Sequence, residues 1–263
     1  MLELKDLHKT FNPGTVNAKT ALDGLSLTLW DGEFVTVIGG NGAGKSTMLN
    51  AAAGTLSVDA GEVHLDGVDV TDLPEYKRAA YIGRVFQDPM MGTAPSMHIE
   101  ENLALAARRG QKRGLRWGIT KAERERYRAL PGDLGLGLET RLSSEVSTLS
   151  GGQRQALTLL MATLKSPKLL LDEHTAALDP KTAAKVMALT DRIVTREKLT
   201  TLMITHNMRN AIQYGSRLVM LHEGRVILDI SGEEKENLTV SDLLAQFARV
   251  SGDEFASDRA LLS

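Results

Sequence analysis

The stretch FVTVIGGNGAGKSTMLNAAAG (Phe34–Gly54) decides the fold. Its first five residues are mostly apolar and β-branched before they run into glycine, which is the composition of a buried strand. Gly39–Thr47, GGNGAGKST, then satisfies the spacing G-x-x-x-x-G-K-S/T. Lys45–Ala53 reads as a helix, with Gly54 as its C-terminal stop. A strand, a glycine loop and a helix in this order form the setting in which that spacing binds phosphate. Glycine lets the backbone of Gly39, Asn41, Gly42, Ala43 and Gly44 close around anionic oxygens, with N–H groups pointing inward. The helix N-terminus at Lys45–Thr47 adds roughly half a positive charge beside the anion. Lys45 is placed to reach β- and γ-phosphates, and the Ser46 hydroxyl to ligate Mg²⁺. The plain alternative, a glycine-rich turn with an exposed lysine, does not explain why strand and helix flank it.

Upstream, Leu25, Leu27 and Leu29 alternate with smaller or polar residues, the period-two pattern of a half-buried strand, and Asp31-Gly32 marks a turn. Downstream, GEVHLDGVDV (Gly61–Val70) predicts a hairpin turning at Asp66-Gly67. YIGRVFQD (Tyr81–Asp88) predicts a strand that delivers Gln87. Ser96–Leu164 is mainly helical in pattern, with a basic, glycine-bearing interruption around Arg108–Gly118. Strand patterns return at KLLLDE (Lys168–Glu173), TLMIT (Thr201–Thr205) and Leu218–Leu228. Strands alternating with helices predict a parallel core with helices on both sides, and the helical middle predicts an inserted subdomain.

The chain has 263 residues, 42% of them apolar, enough for one α/β domain with an insertion. A net charge of −2 gives no global attraction to nucleic acid or an anionic membrane. The absence of cysteine excludes disulfides and thiolate metal sites and fits a reducing compartment. The start, MLELKDLHKTF, carries Glu3 and Asp6 and no apolar stretch with a cleavage site, so no secretory signal is expected. Even LTLLMATL (Leu157–Leu164) is cut short by Lys165, so no bilayer-spanning run is expected. Any role at a membrane would run through partner chains.

KLLLDE supplies a second chemical feature. Its apolar residues bury the strand, and Asp172 emerges at the end, where a carboxylate can hold Mg²⁺ directly or through water. Glu173 follows as the candidate to polarise an attacking water. Alone, an acidic pair after a strand reads equally well as a solvated turn; a phosphate loop in the same chain favours the functional reading. LSGGQRQA (Leu149–Ala156) adds a Ser-Gly-Gly run opening a helix, a second device of free N–H groups and a hydroxyl suited to an anion. Two phosphate-reading helix starts imply two nucleotides, or one nucleotide clamped between two chains.

Taken in order, the phosphate loop, Gln87, LSGGQ, Asp172-Glu173, the ALD of Ala177–Asp179 and His206 resemble the ATP-binding-cassette transporter ATPases, over Met1–Leu228. The resemblance implies an α/β P-loop NTPase core with a mixed, largely parallel sheet, an N-terminal antiparallel β subdomain and an inserted helical subdomain. It sets the nucleotide-binding domain at residues 1–235, with the helical insertion at about 88–165 and a helical tail at 236–263. It implies ATP and Mg²⁺, and a head-to-tail pair with a second copy or a homologous ATPase. Each ATP would lie between one chain's Gly39–Thr47 and the other's Ser150, Gly151, Gly152 and Gln153. Gln87 would sense Mg²⁺ and the γ-phosphate, His206 would contact the γ-phosphate, and Asp179 would communicate across the pair. Phe11 resembles the aromatic that stacks on adenine; a packed core aromatic is the alternative. Integral membrane permease subunits, and a substrate-binding protein, complete the implied partners, at the cytoplasmic face of the membrane; no nucleic acid is expected.

The chain departs from the family pattern in two places. His174 stands where proline is common, either as a catalytic histidine or as a tolerated loop substitution. Pro167 to Asp172 is one residue short, and one residue in a strand reverses the facing of all that follows, so the start of this strand must adjust. The cluster Arg108, Arg109, Lys112, Arg113 and Arg116 reads as a solvated helical surface, since aromatics for base stacking are few. MMGTAPSMHIEE (Met90–Glu101) resembles the region that receives a permease helix, and its methionines could supply an adaptable surface or core packing. LTVSDLLAQFARV (Leu238–Val250) predicts an amphipathic helix with Leu243, Leu244, Phe247 and Val250 on one face, packed on the parent domain.

HTAALDP (His174–Pro180) and the tail ending SDRALLS resemble bacterial uptake systems for amino acids or similar solutes; export is the alternative within the class. Soluble relatives acting on DNA or ribosomes usually show tandem cassettes, long coiled-coil insertions or zinc-binding cysteines, which this sequence lacks. A small-molecule kinase would leave LSGGQ and His206 unexplained.

Overall fold

The computed structural model describes residues 1–111, 114, 118–132 and 137–251. In chain order it runs β1 (Leu2–Phe11), β2 (Lys19–Leu29), β3 (Phe34–Gly39), α1 (Lys45–Ala53), β4 (Ala60–Leu65), β5 (Val68–Asp69), α2 (Glu75–Arg78) and β6 (Ile82–Val85). Then follow α3 (Ile99–Ala107), α4 (Lys121–Gly132), a 3₁₀ turn (Val146–Thr148), α5 (Gly151–Thr163), β7 (Lys168–Asp172) and α6 (Pro180–Glu197). The last elements are β8 (Thr200–Ile204), α7 (Met208–Gln213), β9 (Arg217–His222), β10 (Arg225–Ser231), α8 (Gly232–Glu236) and α9 (Val240–Ser251). Two compact units result: Met1–Arg78 with the chain from Lys198 onward, and Ala79–Glu197.

In the first unit, β1 lies between β2 and β4, both antiparallel to it, and β5 closes the hairpin with β4. Asp66 and Gly67 turn that hairpin at φ 51° and 79°, the left-handed pair that a two-residue hairpin requires. Strand β3 runs parallel to both β8 and β9, and β10 returns antiparallel on β9, giving a mixed arrangement. Every residue of β3 is buried, because a central parallel strand is covered on both faces.

Helix α9 buries Leu243 and Phe247 in a cluster with Ile38, Met208, Leu218 and Met220, and Leu244 packs partly against it. Phe247 also meets the His222 ring edge-on at 6.1 Å. The Val250 side chain and residues 252–263 lie outside the described residues.

Beside this cluster Lys235 is buried and donates to the carbonyls of Ile212 at 3.0 Å, Tyr214 at 2.6 Å and Gly215 at 2.6 Å. The last two lie beyond the end of α7, where carbonyls lack helical partners. Burial pushes the ammonium down to about 8, while the three carbonyls hold it in place at neutral pH.

In the second unit, β6 and β7 are parallel neighbours, with Ile82 opposite Lys168 and Val85 opposite Leu171. The shortened approach to β7 is met by burying Lys168 as its first residue, and the strand still ends on Asp172. The basic cluster is not a uniform solvated face. Arg108 pairs with Glu123 at 3.0 Å, while Arg109 turns inward to Ser166 Oγ at 3.3 Å and the Met161 carbonyl at 3.4 Å. Lys112, Arg113 and Arg116 lie outside the described residues. Glu100, buried at the start of α3, receives a two-pronged hydrogen bond from Arg124 of α4 at 2.7 and 2.9 Å.

Replacing Lys235 with Met leaves three carbonyls short of a donor, so Lys235→Met should lower stability by about 2–4 kcal/mol in urea titration at pH 7. The folded value of about 8 lies below that of the unfolded chain, which therefore binds more protons above pH 8. Parental stability should consequently rise with pH between 8 and roughly 10.4, a slope that Lys235→Met abolishes.

Candidate phosphate-binding site

Strand β3 ends at Gly39, and the chain passes through Gly40–Gly44 before α1 begins at Lys45. Gly44, at φ 99°, stands at the head of the helix, and a Cβ there would lie 2.4 Å from the Ala21 carbonyl oxygen. At Gly39 a Cβ would meet the Leu221 carbonyl oxygen at 2.3 Å. Neither position admits a side chain. The loop is thereby pressed against β2 and the β9 end, and the Gly224 N–H donates to the Ala43 carbonyl at 3.0 Å.

Lys45 is only 9% exposed and donates from Nζ to the carbonyls of Gly39 at 2.7 Å and Gly40 at 3.0 Å. Its ammonium therefore sits across the mouth of the loop and not out in solvent. Lys19 stands at the edge of the same loop: a Cβ on Gly42 would come within 2.8 Å of Lys19 Nζ. Nothing in the sequence pattern marks Lys19; the β1–β2 register pairs it with Phe11 and brings it there. Phe11, 38% exposed, is not a core aromatic.

His206 comes to the same end of the unit by register. Val37 of β3 is opposite Ile204 of β8, so Gly39 and His206 both lie two residues farther along parallel neighbours. Side-chain sites on parallel sheets gather at such carboxyl ends. The Thr205 N–H bonds the Val37 carbonyl at 3.1 Å, and Asn207 caps α7 through the Asn210 N–H at 3.0 Å, fixing the backbone on either side of His206.

The second unit repeats the device. Val85 faces Leu171 across β6 and β7, so Gln87 and Glu173 lie two residues beyond that pair. Arg84 Nη2 approaches Asp172 Oδ2 at 3.3 Å, and its guanidinium lies 4.6 Å from the Phe86 ring centre, a cation–π contact. Gln155, buried in α5, donates from Nε2 to the Phe86 carbonyl at 3.1 Å and so holds the backbone next to Gln87. Sequence patterns did not mark Arg84 or Gln155. Their partners are set by strand pairing and helix packing, which no spacing encodes.

Ser150 opens α5 in a reciprocal cap: its Oγ accepts from the Gln153 N–H at 3.3 Å, and Gln153 Oε1 accepts from the Ser150 N–H at 3.2 Å. Gly152 is buried, and a Cβ there would lie 2.1 Å from Thr182 Cγ2. Gly151 remains exposed beside it. Asp179 caps α6, its Oδ1 accepting from the Thr182 N–H at 3.1 Å, and the hydrogen bonds from Thr182 keep its carboxyl below the ordinary range. His174 is fully inside the unit, and burial pushes its imidazole down to about 4, so it is neutral at physiological pH.

The residues fit ATP and Mg²⁺. The glycine cradle is closed to side chains at Gly39 and Gly44, and the buried Lys45 ammonium already binds oxygen at its mouth. Taken separately, the Ser46 hydroxyl of the first unit and the Asp172 carboxylate of the second are each the kind of hard oxygen donor that Mg²⁺ selects.

Comparison with known proteins identifies the family. Residues 22–176 match the ABC transporter family. A tyrosine transport ATP-binding protein of Clostridioides difficile (strain R20291) is 49% identical over 248 residues, which cover 94% of this chain and 98% of that protein. A spermidine/putrescine import ATP-binding protein of Mannheimia succiniciproducens is 32% identical, and the match spans 94% of this chain and 63% of that longer protein. Among solved structures, the dimeric ATP-binding cassette MJ0796 bound to ADP and Pi superposes with a TM-score of 0.74 at 31% identity, covering 88% of this chain and 98% of that one. The chain belongs to the ABC transporter family. It has the P-loop NTPase fold with a mixed sheet and helical subdomains, and it is an ATP-binding, ATP-hydrolysing ABC transporter subunit that resembles bacterial uptake ATPases.

Gly44→Ala should be among the most damaging single-methyl changes in the chain. The new Cβ meets backbone, not a movable side chain, at a positive φ. A loss of at least roughly 2 kcal/mol in stability, together with weakened nucleotide binding, is expected by thermal unfolding with and without ATP.

Proposed function

We propose that this chain powers the import of an amino acid or a related small solute through separate membrane permease subunits, acting at the cytoplasmic face of the membrane. The observation that carries this reading is the cradle at Gly39–Thr47 with its buried lysine, in a chain that also holds the Ser150–Gln153 helix start. Likeness over 98% of a tyrosine transport ATP-binding protein supports the solute class. Among the described residues no helix is long and apolar enough to cross a membrane.

In this reading the backbone of Gly39, Asn41, Gly42, Ala43 and Gly44 wraps the phosphates, with Lys45 neutralising charge on the β- and γ-groups and Thr47 completing the helix start. Ser46, Asp172 and Gln87 are assigned to Mg²⁺, which when bound neutralises phosphate charge. Glu173 draws the proton from the attacking water, and His206 orients the γ-phosphate. Phe11 supplies a face for adenine. The dimeric state of the MJ0796 cassette supports pairing with a second copy or a homologous ATPase, in which Ser150, Gly151, Gly152 and Gln153 of one chain complete the site of the other and Asp179 links the two. Phosphoryl transfer depends on positioning and charge, so a site completed only on closure hydrolyses only when closed.

Glu173→Gln should bind ATP with parental affinity, lose turnover and accumulate as a closed pair on size-exclusion chromatography with ATP. Turnover at the parental rate would remove Glu173 from the role of base. Lys45→Ala should weaken ATP binding itself, by calorimetric titration. For the transport reading, co-expression with the permease genes of the same organism should yield a membrane complex whose ATPase rate responds to tyrosine and its binding protein. Recovery of the chain with ribosomes or DNA instead would overturn it.

A further inference from the structure

Glu173 follows the last residue of β7 and takes φ 45°, a left-handed backbone that costs a residue with a side chain roughly 1–3 kcal/mol. The Ala176 N–H donates to the Glu173 carbonyl at 2.9 Å, closing a turn there. The next side chain along is His174, only 2% exposed, with Nε2 2.9 Å from Thr190 Oγ1 in α6. Thr190 is itself fully buried, and its hydroxyl donates to the Val186 carbonyl one turn back, at 2.9 Å. A hydroxyl has one proton to give; with that proton on the Val186 carbonyl, Thr190 Oγ1 accepts from His174, and the imidazole proton is assigned to Nε2 on that basis. The contact fixes the orientation of the ring. It joins the strained residue after β7 to the middle of α6, and the N-terminal end of that helix carries Asp179.

We propose that His174 is a positioning residue for ATP hydrolysis: its hydrogen bond to Thr190 holds Glu173 in its strained backbone and ties it to helix α6. This rests on the reading of Glu173 as the base that activates water. It gives the substituted position a definite task, in place of the loop-tolerance and catalytic readings. The imidazole touches no reacting atom. It acts on the angle and height at which the Glu173 carboxylate leaves the strand.

The test uses the purified full chain and measures kcat, KM for ATP, affinity for a non-hydrolysable ATP analogue and thermal stability in four variants. His174→Leu and Thr190→Val should each lower kcat roughly 10- to 100-fold, as expected for a misplaced catalytic group, with analogue affinity held within about twofold. His174→Gln, which presents an amide N–H in the same direction, should recover most of kcat. The double variant His174→Leu/Thr190→Val replaces both polar partners, so it should regain stability relative to either single change yet keep the low kcat. That split separates positioning from mere support of the fold. It also carries the test if a single variant fails to fold. A double variant with kcat within about twofold of the parent, or losses that appear in KM and affinity instead, would overturn the proposal. Glu173→Gln is assayed alongside. If it is inactive while the double variant is fully active, only the role of His174 falls; if it remains active, the base assignment falls and this proposal with it.

Discussion

Close backbone approach at the end of β3 is the constraint on which the rest depends. Gly39 and Gly44 leave no room for a Cβ against the Leu221 and Ala21 carbonyls, so the phosphate cradle is clamped between β2 and the β9 end. A central strand buried along its whole length supplies the rigidity, and parallel pairing with β8 fixes His206 at the same level. Lys45 then completes the cradle by bonding the loop's own carbonyls, which keeps a cation at the mouth through main-chain geometry. Each of these consequences follows from backbone packing. The side chains chosen for chemistry are few and are carried by it.

The second unit uses the same principle with different supports. Parallel pairing of β6 and β7 brings Gln87 and Glu173 to one level, and α5 braces that end through Gln155 and the Phe86 carbonyl. Arg84 places a guanidinium against Asp172 and a ring face at once, so the carboxylate at the strand end has a fixed neighbour. The reciprocal cap of Ser150 and Gln153 starts α5, and Asp179 starts α6, so three of the family's motif residues also build the helices that present them.

Much of this was legible in the residues because spacing encodes local geometry. The loop at Gly39–Thr47, the strand of KLLLDE and the helix of LTVSDLLAQFARV announce themselves through composition and period. Strand β1 is harder to see: Asp6 takes φ 48° and the pairing register shifts there, which breaks the alternation of Leu2, Leu4 and Leu7. Arg109 looked like part of a solvated basic run, yet its guanidinium finds partners inside, and only packing of the neighbouring helix decides that. The link from His174 to Thr190 spans sixteen positions and exists only once α6 lies beside the end of β7. Lys19 reaches the phosphate loop through pairing register, and that too is a tertiary fact.

The cap on α5 has a further consequence. Ser150 spends an oxygen lone pair on the Gln153 N–H, and this leaves its hydroxyl proton free to be aimed away from the helix. Polarisation by the accepted bond makes that proton a somewhat better donor. A phosphate meeting this helix start could accept that proton while the Gln153 N–H stays on the same oxygen. Capture and release at such a surface need not disturb the helix behind it, so the element can be cycled many times without refolding its own beginning.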